Sequence, residues 1–307
     1  MQPIAEPPTS RRALVDRLAL GILLGVVVVS IGAVALFTVY MNRIEVAAEG
    51  LRRVDALPSY EGRPVAVGSD GVAAVNYLLM TTSQDGSLES VLIAHLSASR
   101  RHLTLIALPA DLIADEGSGR LTLATSYRLD PLRTARAVES LTETRMDHQV
   151  HINLHGFPKV VDRLGGIQLD GVRLSGDDVV ARLMEIPDAR ERSAWTAALL
   201  QGAFARSSLG TSITDPDRFD KLLDALTPCI VVDAGLTADE IQSTLVESRV
   251  HADEITTWTL ATADPTTFGT LPDPTDLAEL KDALRNDSLP HGGSQSVTVT
   301  PMPQSTR

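Results

Sequence analysis

The chain has 307 residues, of which 44% are hydrophobic and 21% charged, and its formal net charge is -12 at pH 7. This length allows one large folded domain with shorter appendages. The negative net charge and the pI near 5.0 argue against nucleic acid as a partner, because proteins that bind a phosphate backbone present basic surfaces. The single cysteine, Cys229, excludes an internal disulfide, and its apolar neighbours Ile230–Val232 indicate a buried packing residue.

An uncharged segment, Leu18–Met41, follows a polar, arginine-containing stretch at Met1–Arg17. As a helix its 24 residues would extend about 36 Å, which exceeds the hydrocarbon core of about 30 Å. The arginines before it place the N-terminus in the cytoplasm by the positive-inside rule. A cleaved signal peptide is the alternative, but its apolar region would be shorter and a small-residue cleavage site would follow. We therefore predict a single-pass cell-membrane protein whose main domain is extracytoplasmic.

The remaining chain divides into a linker over 42–63, a folded domain over 64–285 and a Ser-, Thr-, Pro- and Gly-rich disordered tail over 286–307. The apolar patterns predict strands at Pro64–Val67, Val75–Met80, Ser90–Ser97, Leu103–Leu108, Gln149–Leu154, Ile167–Leu169 and Ile255–Leu260. They predict helices at Leu132–Thr142, Phe157–Leu164, Gly176–Glu185, Arg190–Arg206, Pro216–Leu226, Thr237–Val246 and Asp276–Arg285. This alternation predicts an α/β fold, a three-layer α/β/α domain with a mixed central sheet, preceded by one transmembrane helix.

Several blocks of the sequence together resemble the LytR-CpsA-Psr family of cell-wall assembly proteins. These blocks are VNYLLM at Val75–Met80, Glu89-Ser90 before VLIAHL, HLSASRRHLTLIALPAD at His95–Asp111, MDHQVHINLHGFPKVVDRLGGI at Met146–Ile167 and LSGDDVV at Leu174–Val180. The block at Met146–Ile167 is the specific one, since it is similar to the family's Asp-His-Tyr, Asn, Gly-Phe, Val-Asp and Leu-Gly-Gly at matching spacings. The resemblance covers roughly residues 67–260.

The resemblance implies a membrane-anchored, extracytoplasmic phosphotransferase that moves a glycopolymer from a polyprenyl-pyrophosphate lipid to peptidoglycan or a similar acceptor. A pyrophosphate leaving group must be neutralised, and the family is expected to use several arginines and a carboxylate-bound Mg²⁺ for this. The implied ligands are thus Mg²⁺ and polyprenyl (pyro)phosphate. The implied partners are the membrane, a lipid-linked glycopolymer, peptidoglycan and other wall-synthesis proteins.

The metal and phosphate positions of the family are only partly kept at the ends of the first strands. Ser83 stands where the resemblance expects a metal-ligating Asp, and a hydroxyl is a weak ligand for a hard cation, which puts Mg²⁺ in doubt. Glu89 keeps the second acidic position and is the candidate metal ligand, although it could instead cap a strand end. Ala110 replaces the arginine of Ile-Pro-Arg-Asp, and the neighbouring Asp111 remains as a catalytic candidate or a turn residue.

The remaining basic candidates are Arg120, Arg190 and Arg192. Arg120 matches the family's basic residue after the hairpin, with a solvated loop charge as the alternative. Both arginines of the family's Tyr-Val-Arg-x-Arg are absent from Arg182–Ile186. Arg190 or Arg192 could replace one of them from a displaced position, or belong to an ordinary helix end capped by Asp188.

Two functional hypotheses follow from these departures. The first is an active or altered phosphotransferase that uses Glu89, Arg120 and Arg190 or Arg192 with Mg²⁺. The second is a non-catalytic relative that binds a wall precursor or a partner protein outside the membrane. Because each lost electrostatic donor costs a transition state about 3–4 kcal/mol, the loss of an Asp and at least three arginines favours an impaired protein.

Overall fold

The computed structural model describes residues 38–66, 68–69, 72–117, 119–208, 216–263 and 265–290. The chain divides into two units, Met1–Val46 and Ala47–Arg307. The described end of the first unit, residues 38–46, is helical and is called α1. Within the described ranges, none of the helices has the length and apolar content needed to cross a bilayer. Residues 18–37 of the segment predicted to cross the membrane lie outside the described ranges. The membrane anchor at 18–41 therefore stays a prediction.

The second unit contains a central mixed sheet. The strands described in this unit are β1 (Arg52–Val54), β2 (Gly68–Ser69), β3 (Val72–Ala73), β4 (Val75–Thr82), β5 (Leu88–Leu96), β6 (Leu103–Pro109), β7 (Ile113–Asp115), β8 (Arg120–Thr122), β9 (His148–Asn153), β10 (Ile167–Leu169), β11 (Val172–Leu174), β12 (Ile230–Asp233) and β13 (Ile255–Thr259). The seven-stranded sheet has the order β1-β12-β9-β4-β5-β6-β13, and β2-β3, β7-β8 and β10-β11 form separate two-stranded ladders.

Strand directions in this sheet are mixed. The pairs β4–β5, β5–β6 and β9–β12 are antiparallel, whereas β4–β9, β6–β13 and β1–β12 are parallel. The predicted mixed sheet is therefore confirmed.

Helices cover both faces of the sheet. They are α2 (Leu123–Leu129), α3 (Pro131–Thr142), α4 (Phe157–Arg163), α5 (Gly176–Glu185), α6 (Ala189–Ser208), α7 (Pro216–Leu226), α8 (Ala238–Glu247) and α9 (Pro274–Arg285). Alternation along β4 sends Leu78 and Met80 into the core under α2, α3 and α9, and Leu79 into the core under α4, α6 and α7. The three-layer arrangement that the sequence predicts is present.

The block at 146–166 forms the strand, turn and helix that the sequence predicts. After β9, Gly156 takes the N-cap position of α4, where an added Cβ would collide with the Sγ of Cys229. Phe157, Val160 and Val161 are buried. Gly165 and Gly166 follow the helix with φ values of 78° and 87°, a left-handed conformation that glycine adopts without steric cost.

Some elements differ from the sequence-based expectation. The strand predicted at 64–67 is wrong over the described residues 64–66, which adopt no regular structure. In the stretch expected to be a linker, β1 pairs with β12 as an edge strand. Of the tail expected to be disordered, residues 286–290 pack on the domain, with Leu289 buried and the Asp287 carboxylate bonded to His95 and to the Ala98 N–H.

Candidate functional site

The candidate site lies at one end of the central sheet, where β4 and β6 finish and β5 begins. Ser90 of β5 is paired with Pro109 at the end of β6, and Thr82 at the end of β4 is paired with Asn153. The first turns of α6 are fixed over this end, because the Ser193 hydroxyl donates to the Leu108 carbonyl at 3.2 Å.

A bulge in β5 determines the position of Glu89. Thr81 pairs with Ser90 whereas Thr82 pairs with Leu88, so that Glu89 is the extra, unpaired residue of the ladder. A bulge of this kind bends the strand and redirects one side chain. The flanking register is held by a 2.7 Å hydrogen bond between the hydroxyls of Thr81 and Ser90. Glu89 is consequently placed by the sheet rather than by a flexible loop.

Arg192 of α6 reaches Glu89 and forms an ion pair with it. Its Nη1 donates to Glu89 Oε2 at 2.7 Å. Its Nε and Nη2 donate to the carbonyl of Ile186 at 3.1 and 2.7 Å, and Nη2 also donates to the carbonyl of Pro187 at 3.3 Å. These bonds use four of the five guanidinium N–H groups, so Arg192 has little capacity left to hold a phosphate.

Arg190 belongs to the same helix end but contacts a different partner. It is exposed, and its Nε donates to the carbonyl of Leu260 at 3.3 Å. Asp188 accepts from the Glu191 N–H at 2.8 Å and so caps α6. The capped helix end considered as the alternative in the sequence is therefore present.

Asp111 is the second residue after β6, in the turn before β7. Its carbonyl accepts from the Thr270 N–H at 3.0 Å, and its Oδ1 is buried with no hydrogen-bond partner among the described residues. The preceding Ala110 is buried and accepts from the Ala124 N–H at 2.8 Å through its backbone. Where the resemblance expects an arginine, the chain therefore contributes only backbone groups and an alanine methyl group.

Arg120 lies in the β7–β8 ladder, where it is exposed and paired in register with Asp115. Within the described part of the chain, no hydrogen bond or ion pair links it to Glu89 or Arg192. Of the residues predicted for the site, the structure thus joins Glu89 with Arg192, places Arg190 and Asp111 on neighbouring elements, and leaves Arg120 on a solvent-facing hairpin.

The donors at this end do not fit the Mg²⁺ site that the family resemblance implies. Mg²⁺ requires a near-octahedral set of oxygen ligands at 2.0–2.1 Å. The Ser83 hydroxyl donates to Asp85, within a β4–β5 turn in which Asp85 Oδ1 also accepts from the Ser87 N–H at 3.1 Å. Glu89 is paired with Arg192. Over the described ranges, no group of three or more His, Cys, Asp or Glu side chains is arranged to bind a metal.

The role of Asp85 in this turn was not predicted from the sequence. The hydrogen bonds from Ser83 and from the Ser87 N–H lower the pKa of Asp85 to about 2, so it stays ionised at physiological pH. An Asp two residues before a backbone donor is the ordinary signal of an Asx turn, and Ser83-Gln-Asp85-Gly carries it.

A second polar cluster lies at the opposite end of β9. Its centre is His148, whose Nε2 is 3.0 Å from Glu240 Oε1 and whose Nδ1 is 3.4 Å from Asp233 Oδ2. Burial opposes protonation of His148, but the two carboxylates outweigh burial and raise its pKa. The Tyr77 ring stacks on the imidazole with centroids 5.5 Å apart. Since Asp233 also accepts from the Gln149 N–H, this cluster joins β9, β12 and α8.

Comparisons with known proteins agree with this architecture. Residues 66–176 match the LytR_cpsA_psr family. A LytR-Csp2A-Psr enzyme from Actinomyces oris is 22% identical over 76% of this chain and 95% of its own, with a TM-score of 0.59. TagV of B. subtilis is 17% identical over 70% of this chain and 97% of its own, with a TM-score of 0.58. TagT bound to LIIa-WTA is 15% identical over 78% and 97%, with a TM-score of 0.55. No curated protein sequence matches the chain.

Proposed function

We propose that this chain, in which residues 66–176 match the LytR_cpsA_psr family, is a cell-envelope protein of that family that binds a lipid-linked glycopolymer with impaired transferase activity. Family membership suggests cell-wall glycopolymer transfer, and TagT, which shares the fold, is known in complex with LIIa-WTA. The uncharged segment at 18–41 and the arginines before it support a membrane anchor and an extracytoplasmic domain as part of the same proposal.

The hydrogen bonds of Arg192 are the observation that supports impaired transferase activity. Four guanidinium N–H groups of Arg192 bond to Glu89 and to the connection before α6, so this residue cannot replace a lost phosphate-binding arginine without giving up those bonds. Ala110 adds no charge. A developing charge on a pyrophosphate leaving group would therefore meet few donors, and each missing donor raises the barrier by about 3–4 kcal/mol.

The test uses the full chain in detergent with a polyprenyl-pyrophosphate-linked glycopolymer and an acceptor glycan. Released polyprenyl phosphate is measured by mass spectrometry, and binding of the lipid-linked polymer is measured in parallel by co-purification. The A. oris LytR-Csp2A-Psr enzyme is the positive control for release. We expect the lipid-linked polymer to co-purify with the chain and polyprenyl phosphate release to stay at the level without protein.

Release at a rate comparable to the A. oris enzyme would refute the impairment, particularly if Arg120→Ala abolished it while Arg128→Ala did not. Arg128 is a matched control because it is also an exposed arginine, in the helix α2 that follows β8. If neither release nor co-purification occurs, glycopolymer binding is wrong, and cross-linking in intact cells would then test a scaffold role with wall-synthesis proteins.

The location is tested separately by adding protease to spheroplasts. An extracytoplasmic domain should be digested while the membrane is intact, and a cytoplasmic control protein should survive. Protection of the domain until the membrane is permeabilised would contradict the proposed orientation.

A further inference from the structure

The ion pair between Glu89 and Arg192 is rigid on both sides. Glu89 is fixed by the bulge in β5, between the paired residues Leu88 and Ser90. Arg192 is fixed by its bonds to the carbonyls of Ile186 and Pro187 and by the anchoring of α6 through Ser193. The two side chains are about three-quarters shielded, with 26% and 23% of their surfaces exposed. Their 2.7 Å contact is therefore a property of the fold rather than a transient surface encounter.

A guanidinium in this position competes directly with a divalent cation for Glu89. To bind there, a cation would have to displace Nη1 from Oε2 or approach the guanidinium closely, and the second choice places like charges together. The Ser83 hydroxyl, which stands where the resemblance expects a metal-ligating Asp, is bonded to Asp85 Oδ1 in the β4–β5 turn and supplies no second carboxylate. The acidic residue kept from the family pattern is thus neutralised internally.

We propose that Arg192 is the built-in cation of this site and that the chain recognises its phosphorylated ligand without Mg²⁺. The identity of the ligand in this inference rests on the proposed function. The competition between Arg192 and a divalent cation for Glu89 is independent of it. It makes Arg192 a positioning residue that keeps Glu89 neutralised and holds the connection between α5 and α6.

The first measurement is the melting temperature of the full chain in detergent, titrated with MgCl₂ after treatment with EDTA. NaCl at equal ionic strength is the control. CaCl₂ is unsuitable because Ca²⁺ also binds carboxylates. We expect no saturable change in the melting temperature of the wild-type chain. A saturable rise with MgCl₂ that Glu89→Gln removes would overturn the inference.

Paired variants test whether Arg192 is what excludes the cation. Ser83→Asp combined with Arg192→Met restores a second carboxylate and removes the guanidinium, and we expect this chain to gain a saturable rise in melting temperature with MgCl₂. Ser83→Asp combined with Arg192→Lys keeps the positive charge and should stay insensitive. If the Met combination folds but shows no rise, or if the Lys combination gains the same rise, the role assigned to Arg192 is wrong.

Mg²⁺-independent recognition of the ligand is tested with polyprenyl pyrophosphate in detergent micelles as the probe. Its binding to the chain is measured in EDTA and in MgCl₂. We expect the same affinity in both, whereas a loss of affinity in EDTA would overturn Mg²⁺-independent recognition. If the probe does not bind under either condition, the proposed ligand fails and the Mg²⁺-independence of ligand recognition fails with it. The melting measurements still decide the competition at Glu89, so the two failures remain distinguishable.

Discussion

Replacing Tyr60 with phenylalanine removes a single hydrogen bond to a buried carboxylate. The Tyr60 hydroxyl donates to Glu139 Oε2 at 2.6 Å. Glu139 also accepts from Arg63 Nε at 3.0 Å and from the Met146 N–H at 2.9 Å, and its side chain is only 2% exposed. Phenylalanine keeps the aromatic ring over which the Arg136 guanidinium lies, 5.1 Å from the centroid. The substitution therefore isolates the contribution of the hydroxyl group.

The expected loss follows from the charge of the acceptor. A hydrogen bond to an ionised group contributes about 1.5–3 kcal/mol. The Tyr60 and Glu139 side chains line a groove of about 960 Å³. Because Glu139 keeps its bonds from Arg63 and from the Met146 N–H after the substitution, its charge stays compensated and the lower end of that range applies. We expect the free energy of unfolding to fall by about 1.5 kcal/mol, which lowers the melting temperature of a domain of this size by about 3–6 °C.

Urea unfolding followed by circular dichroism measures the loss, with Ser140→Ala as the control. Ser140 is an exposed residue of α3 that lines the same groove. Glu139→Gln should cost more, about 3–5 kcal/mol, because it also leaves Arg63 without its buried partner. Wild-type stability of Tyr60→Phe, or an equal loss of stability in Ser140→Ala, would refute the contribution assigned to the Tyr60 hydroxyl.

Two further predictions concern the other end of the sheet and the N-terminus of α4. Asp233 and Glu240 raise the pKa of His148, so the stability that His148 adds should be complete below about pH 6.5 and lost as the pH rises through the raised pKa. The melting temperatures of the wild type and of His148→Gln are compared across this pH range. A difference that does not change with pH would contradict the prediction. Gly156→Ala places a methyl group against Cys229 Sγ and should cost about 1–3 kcal/mol in urea unfolding, whereas in a Cys229→Ala background the cost should largely disappear. Equal costs in both backgrounds would show that the crowding is not responsible.

The sequence predicted the parts of the fold that depend on local pattern. The apolar pattern at Phe157–Leu164 predicted α4, and the apolar pattern at Leu103–Leu108 predicted β6. These signals are read within one element. The edge strand β1 carries no such signal, because Arg52 and Arg53 are exposed and only its pairing with β12 makes it a strand.

The candidate site was harder to predict because its decisive contacts connect distant parts of the chain. Glu89 and Arg192 are 103 residues apart in sequence, and nothing local to either residue specifies the pair. The bulge in β5 likewise cannot be recognised from the sequence of that strand. It is defined by how the residues on the two sides of Glu89 pair with β4. Identifying Arg192 as a candidate was within reach of the sequence, but its engagement with backbone carbonyls was not.

The pairing of β1 with β12 has a practical consequence for preparing the domain in soluble form. A truncated protein that starts at residue 64 would lack β1 and leave the backbone groups of Ile230–Asp233 without a neighbour on that side. It would also lose the Arg53 guanidinium that binds the Leu236 carbonyl at 2.6 Å, and the Asp55 carbonyl that receives the Gln149 side chain. An uncovered strand edge of this kind is a template for association between molecules. A truncated protein that starts before Arg52 keeps β1 on β12, so the sheet ends in a three-residue strand with two exposed arginines, which protects the domain from self-association.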